Sequence, residues 1–252
     1  MAIVRAVLFD LDDTLFDHRQ CARAALLGVR ASHDCFARFE GVEMEASHAR
    51  ILEELHLDVM AGRRDLDSAR VERFRRLYSW AGVDADVELA SRAALTYRQR
   101  YLEARTEVRG ASALLASVRR HATVVVVSNN LLEEQQDKLN YCDLAPHVDV
   151  LVVSEEAGVS KPDPRIFEIA LERAGVGAVE AVMLGDSWTN DIEGARAAGI
   201  RAIWFNRLGT PSPDIDVPAI QSLEPVDDVL RTILGENDAD APTREPASAL
   251  PR

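Results

Sequence analysis

Five short apolar runs punctuate the chain, at 3–9 (IVRAVLF), 122–127 (ATVVVV), 148–153 (VDVLVV), 180–184 (EAVML) and 200–205 (IRAIWF). From the second onward they alternate with stretches of helical periodicity near 131–140, 164–174 and 191–198. Strands that are apolar on both faces and interleaved with helices predict a parallel sheet covered on two sides. The expected fold class is therefore α/β, a doubly wound Rossmann-like parallel sheet. In such sheets ligands bind beyond the carboxyl ends of the strands, near a topological switch point. The polar residues that follow each run are the ones to read for chemistry.

The interval between the first two runs breaks this rhythm. Residues 17–105 hold no strand-like run and read as about four amphipathic helices. Ile51, Leu52, Leu55 and Val59 fall on one helical face, as do Val71, Phe74, Leu77 and Tyr78. Gly62, Gly82 and the acidic pair around Ala85 supply breaks and caps. The expected organisation is a catalytic core built from 1–16 and 106–235, with an α-helical cap domain of 17–105 inserted over the strand ends. The last stretch, 236–252, has no apolar period and three prolines, and it reads as a disordered tail.

Composition narrows the function classes. A net charge of −13, from 29 basic and 42 acidic residues, argues against nonspecific binding to nucleic acid or an anionic membrane. No apolar run approaches the ~20 residues a membrane span needs, and the N-terminus lacks the pattern of a secretory signal. Cys21, Cys35 and Cys142 are odd in number and match no metal spacing. Reduced, packed thiols in a cytoplasmic protein are the expectation. Of the 29 basic residues only Lys138 and Lys161 are lysines. In so arginine-rich a chain a lysine suggests a use for a compact point charge.

Four short motifs sit at strand ends. In VLFDLDDTLFD, Asp10 follows the first run and Asp12 lies two residues on, so one carboxylate can attack while the other moves a proton. VVVVSNN ends in Ser128, Asn129 and Asn130, where a hydroxyl and free N–H groups can cradle an anion. The plain alternative is that Ser128 or Asn129 only caps helix 131–140. In SKPDPRIF, Pro162 disfavours helical geometry at Lys161, and Asp163 with Pro164 starts the next helix. Lys161 is thus either presented inward or left as a solvated loop lysine. In MLGDSWTNDIEGARAAG, Asp186 follows a strand and Asp191 begins a helix with a small-residue face. Two carboxylates so placed suit a hard divalent cation, although a helix N-cap alone would also explain Asp191.

Taken in chain order, Asp-x-Asp-x-Thr, Ser-Asn, Lys and Asp-x4-Asp resemble the signature of the haloacid dehalogenase-like (HAD) superfamily, in members that carry a helical cap. The stretch VVSEEAGVSKPDPRIFEIALERAGV is similar to that of bacterial pyrimidine 5′-nucleotidases and neighbouring small-metabolite phosphatases. The resemblance implies a Mg²⁺-dependent phosphomonoester hydrolase with Asp10 as nucleophile and Asp12 as acid and base. Thr14 would orient Asp12 and its loop. Ser128 and the N–H of Asn129 would hold phosphoryl oxygens, and Lys161 would neutralise charge. Asp10, the Asp12 carbonyl, Asp186 and Asp191 would bind the metal. The implied substrate is a small phosphorylated metabolite, nucleoside 5′-monophosphates first. Asp12 would need a raised pKa to carry a proton. Where many relatives have glycine, this chain has Asn130, which tolerates left-handed geometry.

Three rivals share the scaffold. A haloacid dehalogenase has no use for Asp12, Asp186 or Asp191. A non-catalytic binder gains little from carboxylates around a phosphate. A phosphotransferase would differ only in the acceptor. His18, Tyr97, Tyr101 and Trp188 are candidates for substrate contact, set against the plainer expectation that such aromatics pack in the core. The arginines at 63, 64, 70, 73, 75 and 76 could attract an anionic substrate, set against the plainer expectation of a solvated helix face.

Overall fold

The computed structural model describes residues 2–235, so the tail expected at 236–252 lies outside the described residues. Strand β1 (Ala6–Phe9) leads into α1 (His18–Ser32), α2 (Gly41–Met60), α3 (Leu66–Trp80), α4 (Val87–Glu103) and α5 (Ala111–Val118). Then follow β2 (Thr123–Ser128), α6 (Leu132–Tyr141), β3 (Val150–Val153), α7 (Ser154–Ala157), α8 (Pro164–Ala174) and β4 (Ala181–Gly185). A π-helical turn at Trp188–Glu193 opens α9 (Gly194–Ala197), before β5 (Arg201–Phe205), β6 (Ala219–Ile220) and α10 (Val226–Leu234).

The six strands are parallel throughout, in the order β3-β2-β1-β4-β5-β6. The chain winds outward from β1 through β2 to β3, then crosses back to β4 on the other side of β1. That reversal makes the carboxyl ends of β1 and β4 the switch point. Phe9 is in register with Leu184, and the Asp10 N–H donates to the Leu184 carbonyl at 3.1 Å. Asp10 is thereby anchored to the neighbouring strand.

The unbroken apolar strands follow from two-sided burial. Val7, Phe9, Val124, Val126, Val182 and Leu184 point into one core. Their alternates Ala6, Leu8, Val125, Val127 and Met183 point into a second, against Ile166, Phe167 and Ala170 of α8 and Ala195 of α9. The first core does not stop at the sheet. It continues into the helical insertion through Leu26, Phe74, Leu77, Tyr78 and Tyr97. Asp17, Asp65 and Asp86 begin α1, α3 and α4 as N-caps, their side chains accepting from Gln20, Ser68 and Leu89 N–H. The helical insertion α1–α5 forms the cap, with α5 returning to pack near β2 and α10.

The predicted run 3–9 enters the sheet only at Ala6, and Ile3 is exposed. Strand β6, two residues long, carries too little apolar pattern to be foreseen. Among the described residues no helix is long and apolar enough to cross a membrane.

Candidate active site

The carboxyl ends of β1, β2 and β4 converge on a buried cluster of charged residues. Asp10, directly after β1, is 7% exposed, and its Oδ1 accepts from Lys161 Nζ at 2.7 Å. The same ammonium donates to Asp191 Oδ1 at 2.6 Å. Lys161 is therefore presented inward and is not a solvated loop lysine. Asn129 holds it there from both sides of its backbone: Oδ1 accepts from Lys161 N–H at 2.7 Å, and Nδ2 donates to its carbonyl at 2.8 Å.

Asp191 does not cap a helix. Ser187 caps the π-helical turn, accepting from Asn190 N–H, and Asp191 lies inside that turn with its side chain fully buried. Its Oδ2 accepts from Ser187 N–H at 2.9 Å. This approach depends on glycine, because a Cβ on Gly185 would fall 2.4 Å from the Asp191 carboxyl carbon. Asp186 follows on the next residue. One carboxylate oxygen from each of Asp10, Asp186 and Asp191 lies within 4.8 Å of the others.

Three carboxylates so close repel one another. Burial, with the neighbouring Asp191 and Asp12 charges, pushes Asp10 up to about 7 even though Lys161 pulls the other way. Burial and the Asp10 and Asp191 charges push Asp186 up to about 8. Lys161 pays for burial as well, but the two carboxylates it touches hold its proton above the ordinary lysine range. An all-oxygen cluster that resists ionisation fits a hard divalent cation, which would relieve the repulsion.

Asp12 departs from expectation. Its side chain is held by Lys138, whose Nζ donates to both its oxygens at 2.6 and 2.8 Å. Gln135 Nε2 donates to Asp12 Oδ2 at 2.9 Å and to Ser128 Oγ at 2.5 Å. Burial raises the Asp12 pKa, but Lys138, His18 and these hydrogen bonds outweigh it, so Asp12 sits below the usual carboxylate range rather than above it. Thr14, fully buried, does not orient Asp12 either. Its hydroxyl accepts from the Asp186 N–H at 3.1 Å and ties the first motif to the fourth.

Ser128 and Asn129 do not cap α6, whose N-cap residue is Leu131 and whose Leu132 N–H donates to Glu155. Ser128 is buried with its hydroxyl toward Gln135 and Asp12. Asn130 keeps negative φ, and the left-handed turn in this region belongs to Asp13 at φ 65°. The Asn130 Oδ1 accepts from Leu131 N–H at 2.9 Å.

Between cap and core lies a cavity of about 120 Å³, lined by His18, Tyr97 and Tyr101 of the cap and Asn130 and Lys138 of the core, among others. His18 Nδ1 is 2.8 Å from the Tyr101 hydroxyl, and His56 Nε2 of α2 is 3.0 Å from the Asn129 carbonyl. Trp188 is elsewhere, edge-on against Trp204 with ring centres 5.2 Å apart. The arginine stretch divides. Arg63, Arg75 and Arg76 pair with acidic neighbours on the surface, whereas Arg73 is buried and Arg70 reaches the cavity. A larger hollow of about 680 Å³ opens at the opposite, amino end of the sheet around Val4, Ala181 and Arg201, away from these groups.

Sequence reasoning did not assign a role to Gln135, Lys138 or His56, and it had Arg73 only as one member of an arginine stretch. Only Lys138 carried a signal. The scarcity of lysine that singled out Lys161 applies to it equally.

The comparisons with known proteins agree with this geometry. A family model described as haloacid dehalogenase-like hydrolase matches residues 4–199. The chain is 31% identical to a phosphoserine phosphatase of Thermus thermophilus, across 85% of this chain and 95% of that one. It is 34% identical to a pyrimidine 5′-nucleotidase of Escherichia coli, but over only 50% of this chain and 57% of that one. Among solved structures, the HAD-hydrolase YfnB of Bacillus subtilis, bound to magnesium, is similar at a TM-score of 0.71 and 26% identity, covering 91% of this chain and 99% of that one.

Proposed function

The chain belongs to the haloacid dehalogenase-like hydrolases, and we propose that it is a phosphatase that cleaves a small phosphorylated metabolite through an aspartyl-phosphate on Asp10. The observation that carries this is the buried Asp10 carboxylate at the switch point, touching Lys161 and flanked by Asp186 and Asp191. Asp10, Asp186 and Asp191, with the Asp12 backbone carbonyl, would hold Mg²⁺. When bound, the cation supplies positive charge that lets a carboxylate approach a phosphate dianion.

This chain's own groups do the rest. Asp10 attacks phosphorus in line, the bond to the leaving oxygen breaks, and Asp12 gives that oxygen a proton. A water molecule then attacks phosphorus, Asp12 takes its proton, the bond to Asp10 breaks and inorganic phosphate leaves. Ser128 and the Asn129 N–H bind phosphoryl oxygens, and Lys161 offsets charge on the phosphate and on Asp10. In the resting state Lys138 keeps Asp12 ionised, as the water step needs. A phosphate dianion arriving beside Asp12 adds negative charge and raises its proton affinity. Asp12 thus takes a proton from solvent to give in the first step and regains one from the attacking water in the second. Asp12, Asp186 and Asp191 have no role in dehalogenation, which disfavours that rival.

The test is a pair of measurements. Asp10→Asn should release no phosphate from an aryl phosphate while melting like the parent, because the amide is a poor nucleophile of similar shape. With the parent, rapid acid quench should trap one phosphoryl group on Asp10, read by mass spectrometry. Turnover by the Asn variant, or label on another residue, would sink the assignment.

Nucleoside 5′-monophosphates remain the finer expectation from sequence, supported by similarity to the E. coli nucleotidase. The cavity of about 120 Å³ is small for a nucleoside, since sites for ligands of drug size span ~300 Å³ or more. Nucleotide binding would therefore require the cap to swing wider. A cytoplasmic location accords with three cysteines left as free thiols.

A further inference from the structure

The chain carries a net charge of −13, yet the cavity under the cap is lined by four cations, Arg70, Arg73, Arg98 and Lys138, against one carboxylate, Glu134. Three of the four are answered. Lys138 holds Asp12. Arg70 divides itself between Asp67 at 2.9 Å and Glu134 at 2.8 Å, and Arg98 reaches Glu134 at 3.3 Å. Arg73 is not answered. It is 9% exposed, and its Nε has no hydrogen-bond partner. The groups that weigh most on its charge are two tyrosines and two other arginines. Its guanidinium carbon lies 4.7 Å from the Tyr97 ring centre and 5.4 Å from that of Phe74. A second buried polar atom at the same cavity, the Tyr97 hydroxyl, is also unpartnered.

Cation–π contacts return ~0.5–2 kcal/mol, whereas an unpaired buried charge costs several. Stacking therefore does not offset the burial of Arg73. It holds the guanidinium in place and leaves N–H donors unspent. A planar fork of donors, fixed beside a hydroxyl, matches a carboxylate. The cavity, about 120 Å³, is well below the ~300 Å³ or more of a site for a ligand of drug size, which favours a short acid.

Resting on the phosphatase reading, we propose that Arg73 and Tyr97 form a carboxylate subsite, so that the substrate is a small phosphomonoester whose leaving group carries a carboxylate. Its phosphate lies among Asp10, Lys161 and Ser128, and its acid group extends past Lys138 to Arg73. Lys138 links the two ends of such a substrate, since it lines the cavity and also binds Asp12.

The experiment compares kcat/KM for phosphate release across matched pairs, with Mg²⁺ and the full chain. O-phosphoserine is set against O-phosphoethanolamine, and 3-phosphoglycerate against glycerol 3-phosphate. Fructose 1,6-bisphosphate, UMP and an aryl phosphate complete the set. A charged hydrogen-bonded contact predicts a preference of roughly tenfold or more for each acid over its partner. Arg73→Met should shrink that ratio to within about threefold, mostly by raising KM for the acids, and Arg73→Lys should restore part of it. Arg73→Met should melt at or above the parent, because an unanswered buried charge is removed.

Equal rates within both pairs for the parent enzyme would overturn the subsite, as would a bisphosphate or UMP exceeding both acids. A uniform loss on every compound, with a lowered melting temperature, would make Arg73 merely structural and refute the proposal. Turnover of the aryl phosphate without any advantage for the acids removes the subsite alone. No phosphate release from any compound removes the phosphatase reading with it.

Discussion

Removing the metal should make stability fall with pH in a way that can be calculated. Asp10 rises from an ordinary 3.8 to about 7, and Asp186 from 3.8 to about 8, because burial and their neighbours' charges oppose ionisation. Both folded-state values lie above the unfolded ones. Between pH ~4 and ~8 the folded chain therefore holds more protons than the unfolded chain, and stability declines as pH rises through that window. At ~1.4 kcal/mol for each pH unit, the Asp10 rise alone represents on the order of 4 kcal/mol. The Asp186 rise shares the same repulsion, so the two do not simply add. A divalent cation substitutes for those protons and cancels the loss. For a chain of this size ~4 kcal/mol corresponds to roughly 10 °C in melting temperature. Melting curves in EDTA and in saturating Mg²⁺ should differ little at pH 5 and by about that amount at pH 8. Half-buried His18 and buried His48, both held below the ordinary histidine range by desolvation, affect both curves alike and drop out of the difference. Asp186→Asn should flatten the trend. A Mg²⁺ effect that is constant across pH, or larger at pH 5, would refute the reasoning.

Three further outcomes follow from the same contacts. Asp12→Ala should lose less rate on an aryl phosphate, whose leaving group needs no proton, than on an alkyl phosphate; equal losses would remove Asp12 as the acid. Lys138→Met removes the main group that lowers the Asp12 pKa, so the acid limb of the kcat–pH profile should move to higher pH by a unit or more. An unmoved limb would show that Asp12 is not the base. Gly185→Ala puts a Cβ 2.4 Å from the Asp191 carboxyl carbon, so it should cost ~1–3 kcal/mol and weaken Mg²⁺ binding measured by calorimetry. Unchanged affinity would mean Asp191 does not need that close approach.

Local chemistry was legible along the chain. The two-sided apolar runs specified strands, and five of the six strands lie where those runs fall, because burial on both faces demands uninterrupted apolar residues. Asp163 and Pro164 start α8 as their types require. Asp10, Ser128, Asp186 and Lys161 meet because parallel strands deliver their ends to one edge, so motifs far apart in sequence become neighbours. What the chain did not disclose were contacts between side chains whose meeting depends on how helices seat on the sheet. Lys138 and Asp12 are 126 residues apart, and Thr14 and Asp186 are 172 apart. Asp191 could be read as a helix cap as well as a metal ligand, because a cap and a buried carboxylate have the same local sequence, and only the close approach permitted by Gly185 distinguishes them. Arg73 looked like one of six surface arginines. Helical periodicity placed Phe74 and Leu77 toward the core but could not say how far the apolar face extends, and the packing of α3 against α4 put Tyr97 over the Arg73 guanidinium. Secondary structure depends mainly on neighbours a few residues away, whereas the proton affinity of a buried group depends on every charge that the fold brings near it.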